Sequence, residues 1–98
     1  MTKDIRFEWD PRKSATNARE HDDISFELAQ LVFEDELQER SYRGNEHGEE
    51  RWWTMGMVGS TVLVVVHTWI ENDDEEDIIR IISARRATAS ERRRYEEG

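Results

Sequence analysis

The arginine-rich end of the chain is where its residue types are best suited to chemistry. The last segment, residues 78–98, reads IIRIISARRATASERRRYEEG and carries six Arg against three Glu, a net charge of +3. The remaining residues carry 8 Lys+Arg against 20 Asp+Glu, a net −12, so the formal charge of the whole chain is −9. Arginine donates paired hydrogen bonds that match the oxygens of phosphate or carboxylate groups. The segment therefore either binds an external anion or holds the protein's own surplus of carboxylates.

Three arginines are the candidates for stabilising negative charge at a reacting centre, namely Arg51, Arg80 and Arg85. Arg85 lies where a predicted strand ends and the chain turns towards the last helix, a position that can be held rigidly. Arg80 lies within a predicted apolar strand, so its charge needs either a solvated face or an ion-pair partner. A structural ion pair with a carboxylate such as Glu8 is the alternative to a functional role for Arg80.

A second group of residues at this end has the chemistry to contact a substrate. Arg86 follows Arg85 at the same corner, and Tyr95 lies three residues after Arg92, on the same face of the predicted last helix. A tyrosine in this position can stack on a nucleic-acid base or bond to a phosphate. The alternative is that Tyr95 closes the hydrophobic core, with the arginines at 92–94 forming a solvated helix face.

The three histidines differ in their prospects as proton-transfer groups. Histidine exchanges protons near neutral pH, and His21 lies one helical turn after Asn17, so His21 is the acid–base candidate. Its alternative role is a helix C-terminal residue favoured by the macrodipole. His67 lies in an apolar strand and is predicted to be a packed core residue, and His47 lies in a polar loop without a role.

The sequence predicts no metal and no other cofactor. No two histidines have the spacing of a helical metal motif. The acidic run at 71–77 is predicted to be a loop, and it lacks the glycine and the spaced terminal glutamate of a calcium-binding EF-hand. There is no cysteine, so neither a disulfide framework nor a thiolate metal site is expected.

Hydrophobic periodicity and capping residues predict the elements that must position these side chains. Alternation predicts strands at 5–9, 51–58, 61–69 and 77–84, with a weaker strand at 37–42 and a loop at 44–50. Asp10 and Pro11 predict the start of a helix that runs to about His21, and Ser25 caps a second helix. A last helix begins near Thr88, where Thr88 and Glu91 match the capping box.

These elements predict an α+β fold in a single domain spanning residues 1–98. We expect an antiparallel sheet of about four to five strands, with two N-terminal helices and one C-terminal helix, because strands joined by short loops pair antiparallel. The N-terminus is charged and the longest apolar run covers only residues 62–66. We therefore expect no signal peptide, no membrane partner and a cytoplasmic location.

Three stretches together resemble a known family. They are FEWDPRKSATNAREHDDISFELA, ERWWTMG and RIISARRATASERRRYEEG, and they cover nearly the whole chain in the family's order. The chain resembles the BrnT toxins of type II toxin–antitoxin systems, which have a RelE-like fold. Glu20 and Asp22 stand where members of that family usually carry a basic residue and a glycine.

The resemblance implies an activity and a partner. It implies a metal-independent endoribonuclease that cleaves RNA and halts translation, together with a BrnA-like antitoxin that carries a ribbon-helix-helix DNA-binding part. Operator DNA would be bound only through that antitoxin. The alternative is an interaction module with weak or no catalysis that acts as a co-repressor with its DNA-binding partner, which the charge of −9 would suit.

Overall fold

Five strands and three helices make up the part of the chain that the structure describes. The computed structural model describes residues 4–72 and 76–98, so positions 73–75 of the predicted acidic loop lie outside it. The strands are β1 (Ile5–Glu8), β2 (Glu39–Glu46), β3 (Glu49–Val58), β4 (Thr61–His67) and β5 (Asp77–Arg86). The helices are α1 (Pro11–Glu20), α2 (Phe26–Ala29), which continues as a 3₁₀ helix (Gln30–Glu34), and α3 (Ala89–Glu97).

The strands form one mixed sheet in the order β1-β5-β4-β3-β2. The four strands from β2 to β5 pair antiparallel, as predicted. The expectation of a wholly antiparallel sheet is wrong at one edge, where β1 pairs parallel with β5 and Ile5 lies opposite Asp77. These two strands are separated by most of the chain, so no short connection constrains their relative direction.

Two predicted elements differ from the observed ones. The weak strand at 37–42 and the loop at 44–50 are replaced by a longer β2 and a tight turn at His47 and Gly48, whose φ angles are 53° and 79°. Paired positive φ angles suit the right-handed twist of a two-residue hairpin. The second helix is shorter than expected, with one α-helical turn capped by Ser25 before the chain tightens into the 3₁₀ helix.

One face of the sheet is buried beneath α1, α2 and the 3₁₀ helix. Its largest fully buried apolar side chains come from both layers: Phe26, Val32, Leu63, Val65, Ile79 and Ile81. Burial of a side chain of this size stabilises the fold by about 1.5–3 kcal/mol.

His67 belongs to this layer, as predicted, and its ring nitrogens lie 2.7 Å from Thr54 Oγ1 and 2.8 Å from the Thr68 carbonyl oxygen. Burial lowers the pKa of His67 to about 4.

Asn17 ties α1 to the free edge of β5. Its Nδ2 donates to the carbonyl oxygens of Ala84 at 2.8 Å and Ile24 at 2.9 Å, and its Oδ1 accepts from the Ala84 amide at 3.1 Å. The side chain is buried, and it satisfies backbone groups that β1 does not reach. The amide of one asparagine therefore replaces a strand partner along this part of β5.

Helix α3 covers only one end of the opposite face of the sheet. Thr88 and Glu91 form the predicted capping box, and Tyr95 is 8% exposed against Met55, Val62 and Val64. The Tyr95 hydroxyl donates to Asp35 at the end of the 3₁₀ helix. The same carboxylate accepts from the amides of Met57 at 2.7 Å and Leu37 at 2.8 Å.

The close approach of the 3₁₀ helix to β3 depends on the missing side chain of Gly56. A Cβ atom there would lie 2.8 Å from Val32 Cγ1 and 3.0 Å from the Val32 carbonyl oxygen. We expect Gly56→Ala to lower the free energy of unfolding by about 1–3 kcal/mol, as overpacked cores do. Urea denaturation measures this loss. The double variant Gly56→Ala/Val32→Ala should lose less than the sum of the single changes, and strict additivity would contradict the contact.

The contact between Tyr95 and Asp35 predicts a stability change at alkaline pH. Burial and the hydrogen bond to Asp35 raise the pKa of Tyr95 to about 12 from the ordinary value of 10.0. A folded-state pKa above the unfolded value stabilises the fold below about pH 10, and this stabilisation is lost as pH rises towards 12. We expect Tyr95→Phe to lower the free energy of unfolding at pH 8 by about 1–2 kcal/mol and to remove this alkaline loss.

Chemical denaturation at pH 8, 10 and 11.5 measures the difference between the two proteins. Tyr42→Phe is the matched control, because Tyr42 is 51% exposed and its ring contact with Trp52 survives the change. An equal loss of stability in both variants would show that the Tyr95 hydroxyl does not hold α3 in place.

Candidate functional site

The strand register brings arginines to the sheet face that the N-terminal helices leave uncovered. Across the strands, Met55 pairs with Val64 and Val64 pairs with Arg85, so these three side chains share one face. The neighbouring row runs from Trp53 through Val66. We call this surface the arginine face and define it by Arg43, Arg51, Trp53, Arg80 and Arg85.

Trp53 lies between two arginines of this face. The guanidinium carbon of Arg43 is 4.2 Å from the centre of the Trp53 ring, and that of Arg85 is 5.5 Å from it. Each such cation–π contact contributes about 0.5–1 kcal/mol at an exposed site. Arg43 also donates from Nε to Ser41 Oγ at 3.2 Å. The half-buried indole of Trp53 therefore keeps the guanidinium groups of Arg43 and Arg85 close enough to contact the same anionic ligand.

Glu49 lies between the other two arginines. Its Oε1 is 2.7 Å from Nη2 of Arg80 and 3.9 Å from Nη2 of Arg51. The hydrogen bond from Arg80 is the main cause that lowers the pKa of Glu49. The Nε of Arg51 is buried and has no hydrogen-bond partner among the described residues. Arg80 thus has the ion pair that the sequence allowed for, but with Glu49, while Glu8 pairs with Arg6 at 3.5 Å.

Arg85 is held by a bidentate ion pair with Glu91, the first-turn glutamate of α3. Its two terminal nitrogens lie 2.8 Å and 3.0 Å from the two carboxylate oxygens. Glu91 also accepts from the Thr88 amide at 2.8 Å as part of the capping box. The hydrogen bonds from Arg85 are the main cause that lowers the pKa of Glu91 to about 2. The start of α3 therefore orients Arg85 towards the sheet.

The structure brings together three of the four residues that were predicted to be catalytic. Arg51, Arg80 and Arg85 all lie on the arginine face. His21 ends α1 in the helical layer and lines a depression of about 290 Å³ together with Asn17 and other residues of α1 and β5. Arg51, Arg80 and Arg85 do not line that depression.

The residues predicted to bind substrate are dispersed. Arg86 is opposite Leu63 and points to the helical side of the sheet, because neighbouring residues of a strand face opposite ways. Arg92 lies near the β3–β4 hairpin and donates to the Ser60 carbonyl oxygen at 3.1 Å. Tyr95 is buried with its hydroxyl held by Asp35, so the interpretation that it closes the core is confirmed and base stacking by Tyr95 is excluded.

Three residues of the site were missed in the sequence. Arg43 fell at the border between the predicted weak strand and loop, although extending the alternation of β2 by two residues places it on the face of Ser41. Trp53 fell within a predicted strand and was given no role, and Glu49 was placed in a loop. The residues that the structure describes contain no group of three His, Asp or Glu side chains suited to holding a metal ion.

Comparison with known proteins identifies the family of this chain. The model of the ribonuclease toxin BrnT of type II toxin–antitoxin systems matches residues 9–91, a range that includes every arginine of the arginine face. A search of curated proteins finds no match. In the described part of the chain, no helix is both long and apolar enough to span a membrane. Because the family model covers most of the chain, the protein belongs to the BrnT family of ribonuclease toxins of type II toxin–antitoxin systems.

Proposed function

We propose that this toxin is a metal-independent endoribonuclease that binds and cuts RNA on the arginine face. One observation carries the proposal. Four arginines lie on one uncovered sheet face, two of them against the Trp53 ring and two beside Glu49, in a chain whose net charge is −9. Clustered arginines supply the attraction for phosphates, and an aromatic ring supplies a surface on which an unpaired base stacks.

The arrangement suits the chemistry of RNA cleavage through the 2′-hydroxyl. That reaction needs no metal, because the nucleophile belongs to the substrate, but its phosphorane carries two negative charges. Arg51, Arg80 and Arg85 are the groups we assign to stabilising those charges. Glu91 already occupies positions that phosphate oxygens would take, since the fork that Arg85 presents to Glu91 matches a phosphate equally well.

Because these arginines are held in fixed positions, they are suited to stabilising the transition state as well as to attracting RNA. Guanidinium groups held in place before the reaction need no rearrangement when charge develops, and the loss of one such donor costs about 10²–10³-fold in kcat. The bidentate pair with Glu91 fixes Arg85 in this way, and the 2.7 Å hydrogen bond to Glu49 fixes Arg80. An arginine without such a partner would lose side-chain entropy on binding the substrate.

The toxin's effect and its control follow from the same surface. Cleavage of cytoplasmic messenger RNA would halt translation, and a RelE-like arrangement of sheet and helices would present the arginine face to the RNA. A BrnA-like antitoxin would silence the toxin by covering this face. We assign contact with operator DNA to the ribbon-helix-helix part of that antitoxin.

Removal of single arginines tests the site. We expect Arg51→Ala and Arg85→Ala each to lower kcat for cleavage of a single-stranded RNA by about 10²–10³-fold in the presence of EDTA. Arg94→Ala is the matched control, because Arg94 lies on the exposed side of α3, and it should leave kcat unchanged. His21→Ala should lower kcat by far less than either arginine variant, since His21 lies in the helical layer.

Four outcomes would contradict the proposal. Cleavage by the wild-type protein that disappears in EDTA would show that a metal ion is needed. Cleavage that persists in Arg51→Ala/Arg85→Ala would place the reaction elsewhere on the protein. A loss of kcat in Arg94→Ala as large as in the other variants would show that the overall positive charge matters, and not a specific site on the arginine face. A wild-type protein that never cleaves RNA but binds its antitoxin would favour the co-repressor module.

Expression in growing cells gives an independent measurement. We expect the wild-type chain, expressed without an antitoxin, to arrest growth and to reduce the rate of protein synthesis. Arg51→Ala/Arg85→Ala should restore growth at equal protein levels, whereas Arg94→Ala should not. Growth arrest by the double variant would separate the toxicity from the arginine face.

A further inference from the structure

Glu49 lies beside two arginines of the arginine face, Arg51 and Arg80. It is the first residue of β3 and follows the tight turn at His47 and Gly48 directly, so the hairpin fixes its backbone. Its side chain is 39% exposed. Among the described residues, only its Oε1 is engaged, by Arg80 at 2.7 Å and by Arg51 at 3.9 Å. A phosphate that binds between these arginines therefore lies beside a carboxylate oxygen that solvent can reach.

The arginines leave the cleavage reaction without a proton acceptor. An arginine stays protonated in proteins, so it cannot take the proton from a 2′-hydroxyl. His67 is fully buried on the other side of the sheet, and His21 lies at the end of α1 in a depression that none of the four arginines of this face lines. Glu91 has both oxygens bound by Arg85 and also accepts from the Thr88 amide. Of the two carboxylates that pair with Arg80 and Arg85, Glu49 is therefore the one with an oxygen to spare.

We infer that Glu49 is the general base of this toxin, an assignment that rests on the proposed ribonuclease function. Its carboxylate takes the proton of the 2′-hydroxyl while the 2′ oxygen forms a bond to phosphorus. The bond from phosphorus to the 5′ oxygen breaks, and that oxygen takes a proton from solvent water. The products are a 2′,3′-cyclic phosphate and a 5′-hydroxyl, and Glu49 returns its proton to solvent.

The surroundings of Glu49 define the pH at which it can act. The groups that face it are Arg80 from β5, Arg51 on its own strand, His47 in the turn and Glu46, which lies directly opposite on β2. The hydrogen bond from Arg80 lowers the pKa of Glu49, and burial opposes this only in part. The carboxylate is therefore ionised at neutral pH and ready to accept a proton, and activity should fall as acid protonates it.

Replacement of the carboxylate by an amide tests the assignment. We expect Glu49→Gln to lower kcat for cleavage of a single-stranded RNA by about 10²–10⁴-fold, with little change in KM, because the amide keeps the shape but cannot take a proton. The acidic limb of the pH–rate profile should disappear. Glu49→Asp keeps a carboxylate and should recover part of the rate together with the acidic limb.

Glu50→Gln is the matched control, since Glu50 is the next residue of β3 and its exposed side chain points away from the arginine face. It should cleave RNA at the wild-type rate. Thermal unfolding of all three variants establishes that each is folded. Product analysis should find the cyclic phosphate on the wild-type product.

Two results would overturn the assignment. A Glu49→Gln protein as active as the wild type, or more active, would show that Glu49 only competes with phosphate for Arg51 and Arg80. A reduced rate that keeps the acidic limb would show that Glu49 merely positions the arginines. If Arg51→Ala abolishes cleavage while Glu49→Gln does not, the inference fails and the proposed function stands, whereas a wild-type protein without cleavage removes both.

Discussion

The carboxylate of Asp35 joins the parts of this fold that sequence order keeps apart. It accepts hydrogen bonds from the amide of Leu37, which begins the return towards β2, from the amide of Met57 in β3, and from the hydroxyl of Tyr95 in α3. Burial acts to raise the pKa of Asp35, but these three hydrogen bonds outweigh it and lower the pKa. Because α3 is held there, Glu91 reaches Arg85, and the arginine face keeps its geometry.

The charge distribution of the toxin follows from that geometry. A chain of net charge −9 would repel RNA if its carboxylates and arginines were mixed evenly over the surface. The sheet instead gathers arginines from three strands on one face, and it holds Arg80 and Arg85 with Glu49 and Glu91. These carboxylates keep the guanidinium groups in place.

Local patterns in the sequence predicted the elements that depend on near neighbours. The capping box at Thr88, the Asp10 and Ser25 caps and the alternation of β3 were all correct, because each depends on residues a few positions apart. The prediction that His67 is buried was also correct, since β4 carries apolar residues on both of its faces. The length of β2 was missed because its polar, exposed residues carry no hydrophobic alternation.

Composition and short-range order therefore predicted the α+β class and the set of arginines, and the resemblance of three stretches indicated the family. They could not establish which arginines meet, because Arg85 and Arg86 are adjacent in sequence and yet face opposite sides of the sheet. The pairing of β3, β4 and β5 placed Arg51, Trp53 and Arg85 on one surface and left His21 in the helical layer. The register of strand pairing brings positions that are distant in sequence next to each other, and a shift of one residue would move every side chain of a strand to the opposite face. Which arginines meet is therefore decided by the pairing of whole strands and not by any single segment.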